Sequence, residues 1–539
     1  MSFWVRPEMV VSGAIPEDMA GTVFRNGPGN FTYGSQRLDH FFDGDGMVVR
    51  LAFDGGELHF ANAYVRTPEF EAEQRAGRFL YRSVFSTGNP TGQGLQNPLD
   101  MKFKNPANTG VLAWAGLLFA FNEAGLPMAL DPRTLGTVAT NCTGLDPAAL
   151  HSGDIRSEFF HAHYRVLEER GAPGEDGRPR RRLVGLGSTT NPLARAIELD
   201  FYEFAESGRM LHRTRFPLPG AMLGFFHDFL VTDNYYVVVE NPTELDLVQM
   251  GTGYLLGRRS LAECIAMRRD RDAVMHLLPR PGAHPSCRRR SVPLGNCFVF
   301  HQLNAYEVPG AGGAPGRLVA DLLPWGRIEF RGADAAFADE GYWGDAGNRS
   351  HLTRVSVDLR DPDARPAIDR LSDRWAEMPT MAPSVAGREH RYAYTEASYF
   401  EGDGAGGHFG PAQGIAKVTL DPAAGVSRRA LGTARREAWY AGPEGVVSEA
   451  TFVPRVGSRA EDDGYLVSLV YNTSLDVTEI VVLDARRLAG GPVATVRLPF
   501  SVPHQLHSSW DPGYFGPEAG GARPGPGEGA VVGRLRDAA

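Results

Sequence analysis

Four histidines in this chain each lie at the end of a hydrophobic run that is typical of a β-strand. They are His163 in FFHAHYRV, His227 in LGFFHDFLV, His301 in CFVFHQLNAYE and His507 in VPHQLHSSW. They are spread over more than half of the sequence, so no single helix or loop can bring them together. Only a closed architecture, in which distant strand ends meet at one axis, can do so. If they converge, the imidazoles form a metal site that has no negatively charged ligand.

A strand–turn–strand pattern recurs along the chain and predicts the rest of the fold. Each copy is a short apolar strand, an Asp, a turn and a second strand, as in VVRLAFDGGELHFANAYV, LPMALDPRTLGTVAT, RVSVDLRDPDARPAIDRL, AKVTLDPAAGVSRRAL and IVVLDARRLAGGPVATVRLP. Asp favours a turn because its side chain bonds the backbone ahead of it. Units of this kind over the whole length of the chain favour an all-β fold, and they favour a β-propeller over two β-sandwiches. We expect one domain over residues 1–515, followed by a Gly/Pro-rich tail, 516–539, that is predicted to be disordered.

Composition and charge narrow the class of protein. The net charge is −9, which argues against a nucleic-acid partner, and the four cysteines form no CxxC pair, which is typical of reduced thiols. The N-terminal residues do not have the pattern of a signal peptide. The longest apolar run, Val111–Phe121, is too short to cross a bilayer. These features predict a cytoplasmic protein and leave contact with the surface of a membrane open.

Three glutamates lie in surroundings as hydrophobic as those of the histidines. They are Glu123 in LFAFNEAGLPMALDP, Glu377 in RWAEMPTMAP and Glu449 in VVSEATFVPR. Burying a carboxylate costs free energy unless it is paired. A metal-bound histidine usually donates its second ring N–H to a carboxylate. One strand-end histidine alone is more often a packed core residue, but the histidines and glutamates together predict a metal centre.

These residues and their neighbours resemble the carotenoid cleavage oxygenases, a family of seven-bladed β-propellers that hold ferrous iron on four histidines. The resembling motifs, in chain order, are RNGPGN, HFFDGDGMV, NEAGLPMALDPRTL, FHAH, FFHDF, FHQLNAYE, AEMP, SEATFVP and PHQLHSS. The resemblance extends over nearly the whole chain. It implies that helical and loop insertions cover the active-site face of the propeller.

The resemblance also assigns the individual residues. It implies iron ligands at His163, not His161, and at His507, not His504, together with His227 and His301. It further implies that Glu123 supports His227, Glu377 supports His301 and Glu449 supports His507, whereas His163 lacks such a partner. Two departures affect the shape of the pocket: Tyr164 replaces a usual Pro, and Gln505-Leu506 replaces a usual Gly-Phe.

The implied reaction is the cleavage of one C=C bond of a carotenoid or apocarotenoid by Fe(II) and O₂, which gives two carbonyl products. A stilbene-cleaving enzyme of the same family is the main alternative. The stilbene enzymes resemble one another in having a Lys before the first glutamate, where this chain has Asn122, and Tyr81 does not align with their phenol-binding Tyr. Isomerisation of retinoid esters is a third possibility. A non-catalytic propeller that binds partners is the alternative from another class.

Two apolar segments bear on how such a substrate arrives. Residues 217–226, PLPGAMLGFF, and the segment Leu255–Met267 are unusually apolar for propeller loops. The second overlaps Ser260–Leu278, where a Ser and a Glu three residues later predict a helix. We expect the two segments to form the lip of a hydrophobic tunnel, with flanking arginines towards anionic headgroups. The alternative is that both pack against the propeller.

Overall fold

The computed structural model describes residues 1–38, 40–86, 97–100, 102, 104–123, 125–169, 179–191, 196–220, 223–328, 348–372, 374–398, 411–420 and 435–518. Most of the predicted tail, residues 519–539, lies outside these described residues. Within the described residues, strands are the main secondary structure and the two α-helices are short, as an all-β fold requires. The helices are α1 (Pro68–Ala76) and α2 (Leu247–Gln249), and one turn of π-helix, Met250–Tyr254, follows α2.

The strands of the first half are β1 Ser2–Trp4, β2 Val10–Gly13, β3 Gly21–Asn30, β4 Thr32–Tyr33, β5 Gln36–Arg37, β6 Asp45–Asp54, β7 Glu57–Tyr64, β8 Gly110–Trp114, β9 Leu117–Phe121, β10 Met128–Leu130, β11 Thr137–Ala139, β12 Phe159–Glu168, β13 Arg181–Asn191, β14 Ala196–Ala205, β15 Met210–Pro219, β16 Phe229–Val231, β17 Tyr235–Glu240 and β18 Thr243–Leu245.

The strands of the second half are β19 Ile265–Met267, β20 Ala273–Pro279, β21 Arg290–Gly295, β22 Phe298–Pro309, β23 Pro315–Trp325, β24 Thr353–Asp358, β25 Ala367–Arg370, β26 Glu377–Thr380, β27 Tyr392–Ala397, β28 Gly414–Thr419, β29 Arg435–Tyr440, β30 Gly445–Val447, β31 Thr451–Pro454, β32 Gly464–Asn472, β33 Val477–Asp484, β34 Pro492–Arg497 and β35 Ser508–Asp511.

These strands form the seven antiparallel blades of a β-propeller, as predicted. In chain order, blade I is β8–β11, blade II is β12–β15, blade III is β16, β17, β20 and β21, blade IV is β22–β25 and blade V is β26–β29. Blade VI joins β30–β34 to the N-terminal strand β2, and blade VII joins β35 to β3, β6, β7 and β1. The two ends of the chain therefore share the last two blades, which closes the ring. The pairs β4–β5 and β18–β19 form two additional small ribbons.

A hydrophobic core lies between each pair of neighbouring blades. Between blades III and IV, for example, Val237 and Met275 pack with Ala305 and Leu318. Corresponding cores join I to II, II to III, IV to V, V to VI, VI to VII and VII back to I. Because burial of apolar area is the main favourable contribution to folding, this closed series of cores fixes the blades around one axis. Contacts between first strands, such as β12 with β16 and β16 with β22, form the wall of that axis.

The predicted Asp turns are realised as hairpins. In the first, Asp54 pairs with Glu57 across Gly55 and Gly56, whose φ angles are +53° and +80°. Both angles belong to the left-handed region that glycine adopts without strain, and two such residues suit a tight hairpin. The other predicted turns join β10 to β11, β24 to β25 and β33 to β34. The turn predicted after Thr419 lies largely outside the described residues.

The helix predicted over Ser260–Leu278 is wrong. The two hydrogen bonds that predicted it do form: Ser260 N donates to Glu263 Oε2 at 2.7 Å, and Glu263 N donates to Ser260 Oγ at 3.2 Å. They cap only one 3₁₀ turn, Ala262–Cys264. The chain then enters β19, which pairs with β18, and β20, which pairs with β17 and β21. Blade pairing therefore overrides local helix propensity.

The apolar surface of this region lies beside the predicted segment and not on it. Leu255, Leu256 and Leu261 are half-buried, and Ile265 packs against the core between blades V and VI. The strongly exposed side chains are Leu247 (72%), Val248 (70%) and Leu99 (74%). Leu99 N donates to Leu255 O at 2.7 Å, which ties Leu99 to the segment that follows α2. We call Leu99, Leu247 and Val248 the apolar patch.

The other predicted lip segment, 217–226, is divided between β15 and a loop. Its first residues end β15, Ala221 and Met222 lie outside the described residues, and Phe226 is buried between blades II and III. None of the helices in the described parts of the chain has the length and apolar composition that a membrane crossing requires.

A buried ion pair in blade IV makes the fold sensitive to acid. Asp321 accepts from Arg354 at 2.8 and 2.9 Å and lies 3.1 Å from His390 Nε2. Burial would raise the pKa of Asp321, but Arg354 holds this pKa well below its ordinary value. Asp321 therefore stabilises the fold above about pH 4, and this contribution is lost as the pH falls further.

The variant Asp321→Asn should cost about 3–5 kcal/mol of unfolding free energy at pH 7, because it removes the buried carboxylate that accepts two hydrogen bonds from Arg354. Denaturant unfolding at several pH values measures this. The loss should shrink as the pH falls below about 4, because the Asp321 carboxyl then becomes protonated in the unfolded wild-type protein while it stays ionised in the folded protein. Equal stability of both proteins at pH 7 would contradict this account.

Candidate metal centre

The structure brings the four strand-end histidines together at the axis of the propeller. One ring nitrogen from each of His163, His227, His301 and His507 lies within 4.8 Å of the others. The Nε2 atom of His227 is 3.1 Å from that of His163 and 3.2 Å from that of His301. The four side chains come from blades II, III, IV and VII, so their convergence depends on closure of the ring.

Breaks in the strand pairing turn these histidines towards the axis. The β12–β13 register shifts between Phe160 and Tyr164, the stretch that contains His163. The β22–β23 register shifts between Val299 and Gln302, around His301. Bulges of this kind redirect a side chain that regular alternation would aim elsewhere. His227 and His507 directly precede the short strands β16 and β35.

Three carboxylates hold the outer nitrogens of three histidines, in the predicted pairs. His301 Nδ1 lies 2.6 Å from Glu377 Oε2, and His507 Nδ1 lies 3.1 Å from Glu449 Oε1. The Nδ1 atom of His227 contacts Glu123. Burial would raise the pKa of Glu377, but the facing His301 holds this pKa below its ordinary value, and the same holds for the other two pairs. Each carboxylate thus fixes the orientation of one imidazole ring.

Backbone and side-chain donors hold the glutamates in turn. Glu377 accepts from Trp325 Nε1 and from Met378 N. Glu449 Oε2 accepts from both the backbone N and the Oγ of Ser508, each at 2.7 Å. Because buried carboxylates need such partners, these donors keep the two glutamates in place for their histidines.

The neighbouring histidines of the same motifs bond elsewhere. His161 Nε2 lies 2.8 Å from Ser188 Oγ on the adjacent strand β13. His504 Nδ1 lies 3.4 Å from Ser448 Oγ. The choice of His163 and His507 over these neighbours therefore agrees with the grouping in the structure. Their role as ligands stays a prediction.

His163 is the member of the group without a glutamate, as predicted, but it is not far from a carboxylate. Asp228 Oδ1 lies 3.7 Å from His163 Nδ1, beyond hydrogen-bond distance. Burial and the facing His507 lower the pKa of His163 well below its ordinary value. A neutral imidazole is the form that binds a metal.

Two buried ionisable residues behind the histidines, Arg25 and Glu396, were not predicted from the sequence. Arg25, of the RNGPGN motif, is fully buried, and Glu449 and Glu396 are its charge partners. Glu396 pairs with Glu377 across β26 and β27. Burial, together with Glu377 and Glu449, raises the pKa of Glu396 to about 8, so this carboxyl is largely protonated at neutral pH. Two strands must pair before the carboxyls meet, so the sequence carried no local signal.

Aromatic side chains line one side of the group. The ring of Phe300 lies 5.2 Å from that of His227 and packs on Phe298. The ring of Phe225 packs on the rings of His227, Phe298 and Phe300. Phe225 has a φ of +39°, and Met378, directly after Glu377, has a φ of +45°. Non-glycine residues pay a strain cost there, and such strain concentrates at functional sites.

The donor set fits a divalent first-row metal ion. Because a carboxylate lies beside Nδ1 of both His227 and His301, we expect these rings to carry their proton on Nδ1 and to direct the Nε2 lone pair towards the axis. Two lone pairs 3.2 Å apart repel unless a cation lies between them. Neutral imidazoles favour borderline ions of the iron-to-zinc series. The arrangement can therefore hold one ion and leave coordination positions open.

Comparisons with known proteins extend over nearly the whole chain. Residues 4–512 match the family of the retinal pigment epithelial membrane protein. The chain is 33% identical over 512 residues to the apocarotenoid-15,15'-oxygenase of Synechocystis sp., covering 94% of this chain and 93% of that protein. It is 28% identical over 510 residues to the isoeugenol monooxygenase of Pseudomonas putida, covering 93% and 94%. The crystal structure of the cobalt-substituted Synechocystis apocarotenoid oxygenase superposes with a TM-score of 0.79 at 31% identity, covering 95% of this chain and 96% of that one.

Replacing one histidine at a time should separate the four from their neighbours. His163→Ala and His507→Ala should lose stoichiometric metal, because each removes one of four donors. The matched controls His161→Ala and His504→Ala lie two and three residues away in the same motifs and should retain it. Metal content after anaerobic loading with Fe(II) measures the difference. Metal loss in a control but not in its pair would show that the side chains are assigned to the wrong positions.

Replacing a glutamate by glutamine tests the outer contacts. Glu377→Gln and Glu449→Gln should weaken metal retention on the order of 10–100-fold, because an amide is a weaker partner for the imidazole N–H and carries no charge. Competition with a chelator gives the dissociation constants. Wild-type affinity in both variants would contradict the role of these carboxylates.

Proposed function

Because the chain belongs to the family of the retinal pigment epithelial membrane protein, we propose that it is a non-haem Fe(II) dioxygenase that cleaves a carotenoid or apocarotenoid. One C=C bond is broken, and each of its carbons receives one atom of O₂, which gives two carbonyl products. The observation that carries the proposal is the group of four imidazole nitrogens within 4.8 Å, three of them backed by carboxylates.

The residues have distinct roles in this proposal. His163, His227, His301 and His507 are the metal ligands, and Glu123, Glu377 and Glu449 fix the rings of the last three. Bound Fe(II) supplies the O₂ chemistry that side chains lack. Four neutral ligands leave its charge undiminished, which distinguishes this centre from sites with two histidines and a carboxylate.

The surrounding side chains keep the centre dry and rigid. Phe225, Phe298 and Phe300 exclude water beside His227, and a hydrophobic polyene suits such a wall. Exclusion of water also strengthens the electrostatic interactions inside the site. No side chain is assigned as an acid or a base, because splitting a C=C bond with O₂ needs no net proton transfer.

The residue before Glu123 favours a polyene over a phenolic stilbene. Asn122 Nδ2 donates to Asn108 Oδ1 at 2.9 Å and to Thr109 Oγ1 at 3.1 Å. The side chain at this position is thus a neutral amide that donates hydrogen bonds to two neighbours. Stilbene-cleaving relatives are expected to have a Lys there, whose charge attracts a phenolic oxygen. The relatives that match this chain include both an apocarotenoid oxygenase and a lignostilbene dioxygenase, so the comparisons do not separate the two substrate classes. The neutral Asn122 at this position is the feature that favours the polyene.

Product analysis tests the reaction. Protein loaded anaerobically with Fe(II) should convert an apocarotenal or carotenoid, in a panel that also contains stilbenes and retinyl esters, into two shorter carbonyl compounds. Under ¹⁸O₂, with products reduced before they exchange with water, both should carry one labelled oxygen. Cleavage of stilbenes alone, isomerisation without label, or label in only one product would each overturn the proposal as stated.

We also propose that the protein contacts the cytoplasmic face of a membrane through the apolar patch. Carotenoids dissolve in bilayers and not in water, so the enzyme needs access to a bilayer. Leu247, Val248 and Leu99 expose about seven-tenths of their surface, and Arg258 and Arg259 are exposed nearby in sequence. Apolar side chains flanked by arginines suit a surface of anionic headgroups.

Co-sedimentation with liposomes that contain anionic lipid tests this contact. The triple variant Leu99→Ser, Leu247→Ser, Val248→Ser should release the protein into the supernatant while its metal content stays unchanged. The control is Val456→Ser with Leu475→Ser, which removes exposed apolar side chains near blade VI and should still sediment. Equal sedimentation of both variants, or none by the wild type, would contradict the proposal.

A further inference from the structure

Residues that lie one or two positions after three of the four histidines form a largely buried hydrogen-bond network. Arg165 lies two residues after His163, Asp228 follows His227, and Gln302 follows His301. Asp228 and Gln302 are buried, and the Arg165 side chain is 18% exposed. The network therefore joins the inner strands of blades II, III and IV immediately behind the group of histidines.

Its hydrogen bonds are short and cross from blade to blade. Arg165 Nη2 donates to the Asp228 carboxylate and to Gln302 O, each at 2.8 Å. Gln302 N donates to Asp228 Oδ2 at 2.8 Å, and Gln302 Nε2 donates to Asp228 O at 2.7 Å. Phe229 N donates to Asp228 Oδ1 at 2.7 Å. Asp228 thus occupies the centre, with a donor from each neighbouring strand.

The network lies beside His163, the histidine for which no glutamate partner was predicted. Asp228 Oδ1 is 3.7 Å from His163 Nδ1, whereas the glutamates of His301 and His507 lie at 2.6 and 3.1 Å. The Asp228 carboxylate is also shared with Arg165. Its pull on the His163 proton is therefore weaker than the pull that a glutamate exerts on the other rings.

We propose that Arg165, Asp228 and Gln302 form a clasp that positions His163 and takes the place of a fourth glutamate. The clasp fixes the spacing of the three strands that carry His163, His227 and His301. It also gives His163 an anionic neighbour without a direct hydrogen bond, so His163 is the most weakly polarised of the four imidazoles. These are positioning residues that act through the histidines. The inference rests on the proposed function, because it assigns the histidines to a metal.

Metal affinity tests the clasp, with a matched control that separates positioning from general stability. The test variant is Asp228→Asn. The control is Asp200→Asn, since Asp200 is also buried and pairs with the partly exposed Arg213 and Arg215 of blade II at 3.1 and 2.9 Å. Both variants remove the charge of a buried Asp, and both should lower the unfolding temperature of the metal-free protein. Only the test variant removes a neighbour of His163.

We expect Asp228→Asn to raise the dissociation constant for Co(II) by about 10–100-fold, as loss of an outer partner does, and to shift the visible absorption of the bound Co(II). Asp200→Asn should keep the wild-type constant within about threefold, since distant sites act independently. If Asp228→Asn does not fold, Arg165→Lys takes its place, because it keeps the positive charge but loses the donor geometry. It should weaken Co(II) binding in the same direction.

The outcomes separate the clasp from the proposed function. Co(II) binding by the wild type with equal affinities and spectra in the test and control variants would overturn the clasp alone. Equal weakening in both variants would assign the effect to stability and would also overturn it. A wild type that binds no stoichiometric metal would overturn the proposed function, and the clasp with it.

Discussion

Four imidazole nitrogens can face one another at this distance only if the protein backbone forces them to. Nothing attracts the Nε2 lone pairs of His163, His227 and His301 to each other when their protons lie on the outer nitrogens. The force comes from the seven cores between blades, which close only when every strand end reaches the axis. Closure of the propeller therefore supplies the free energy that holds the four metal-binding nitrogens close together, although they repel one another when no cation is bound.

The charged side chains around the four histidines also favour the binding of a cation. Glu123, Glu377 and Glu449 are held as carboxylates by their imidazole partners, and Asp228 forms an ion pair with Arg165. Among the described residues, Arg25 and Arg165 are the guanidinium groups that face these carboxylates. If a bound metal holds the four imidazoles in their neutral form and Glu396 is protonated, the protein groups leave two negative charges beside the histidines. A divalent ion would offset both. The buried charges thus favour a 2+ ion without any charged ligand in contact with it.

Much of this arrangement could be predicted from residues that are close in sequence. The Asp turns identified the hairpins, and the recurring hairpins identified the propeller, because turn chemistry is local. The choice of His163 over His161 came from motif resemblance, since regular alternation would aim both side chains to the same face. The bulge between Phe160 and Tyr164 breaks that alternation, and it depends on pairing with β13.

What the sequence did not predict depends on contacts between distant strands. The Ser260–Glu263 cap forms, yet strand pairing by β19 and β20 ends the helix after one turn. The exposed apolar side chains are those of the apolar patch, Leu99, Leu247 and Val248, and not those of the predicted segment Leu255–Met267. Residues of that segment pack against the core between blades V and VI. Likewise, Arg165, Asp228 and Gln302 are unremarkable one by one. They become a network only after three blades meet.

The central claim is that all four histidines, and no carboxylate, bind one metal ion. X-ray absorption at the iron edge of Fe(II)-loaded protein tests it most directly. The account predicts four imidazole nitrogens at roughly 2.0–2.3 Å, as in other imidazole–metal bonds, and any further light atoms only from solvent. A fit that requires three imidazoles, or a carboxylate oxygen from the protein at that distance, would contradict the account.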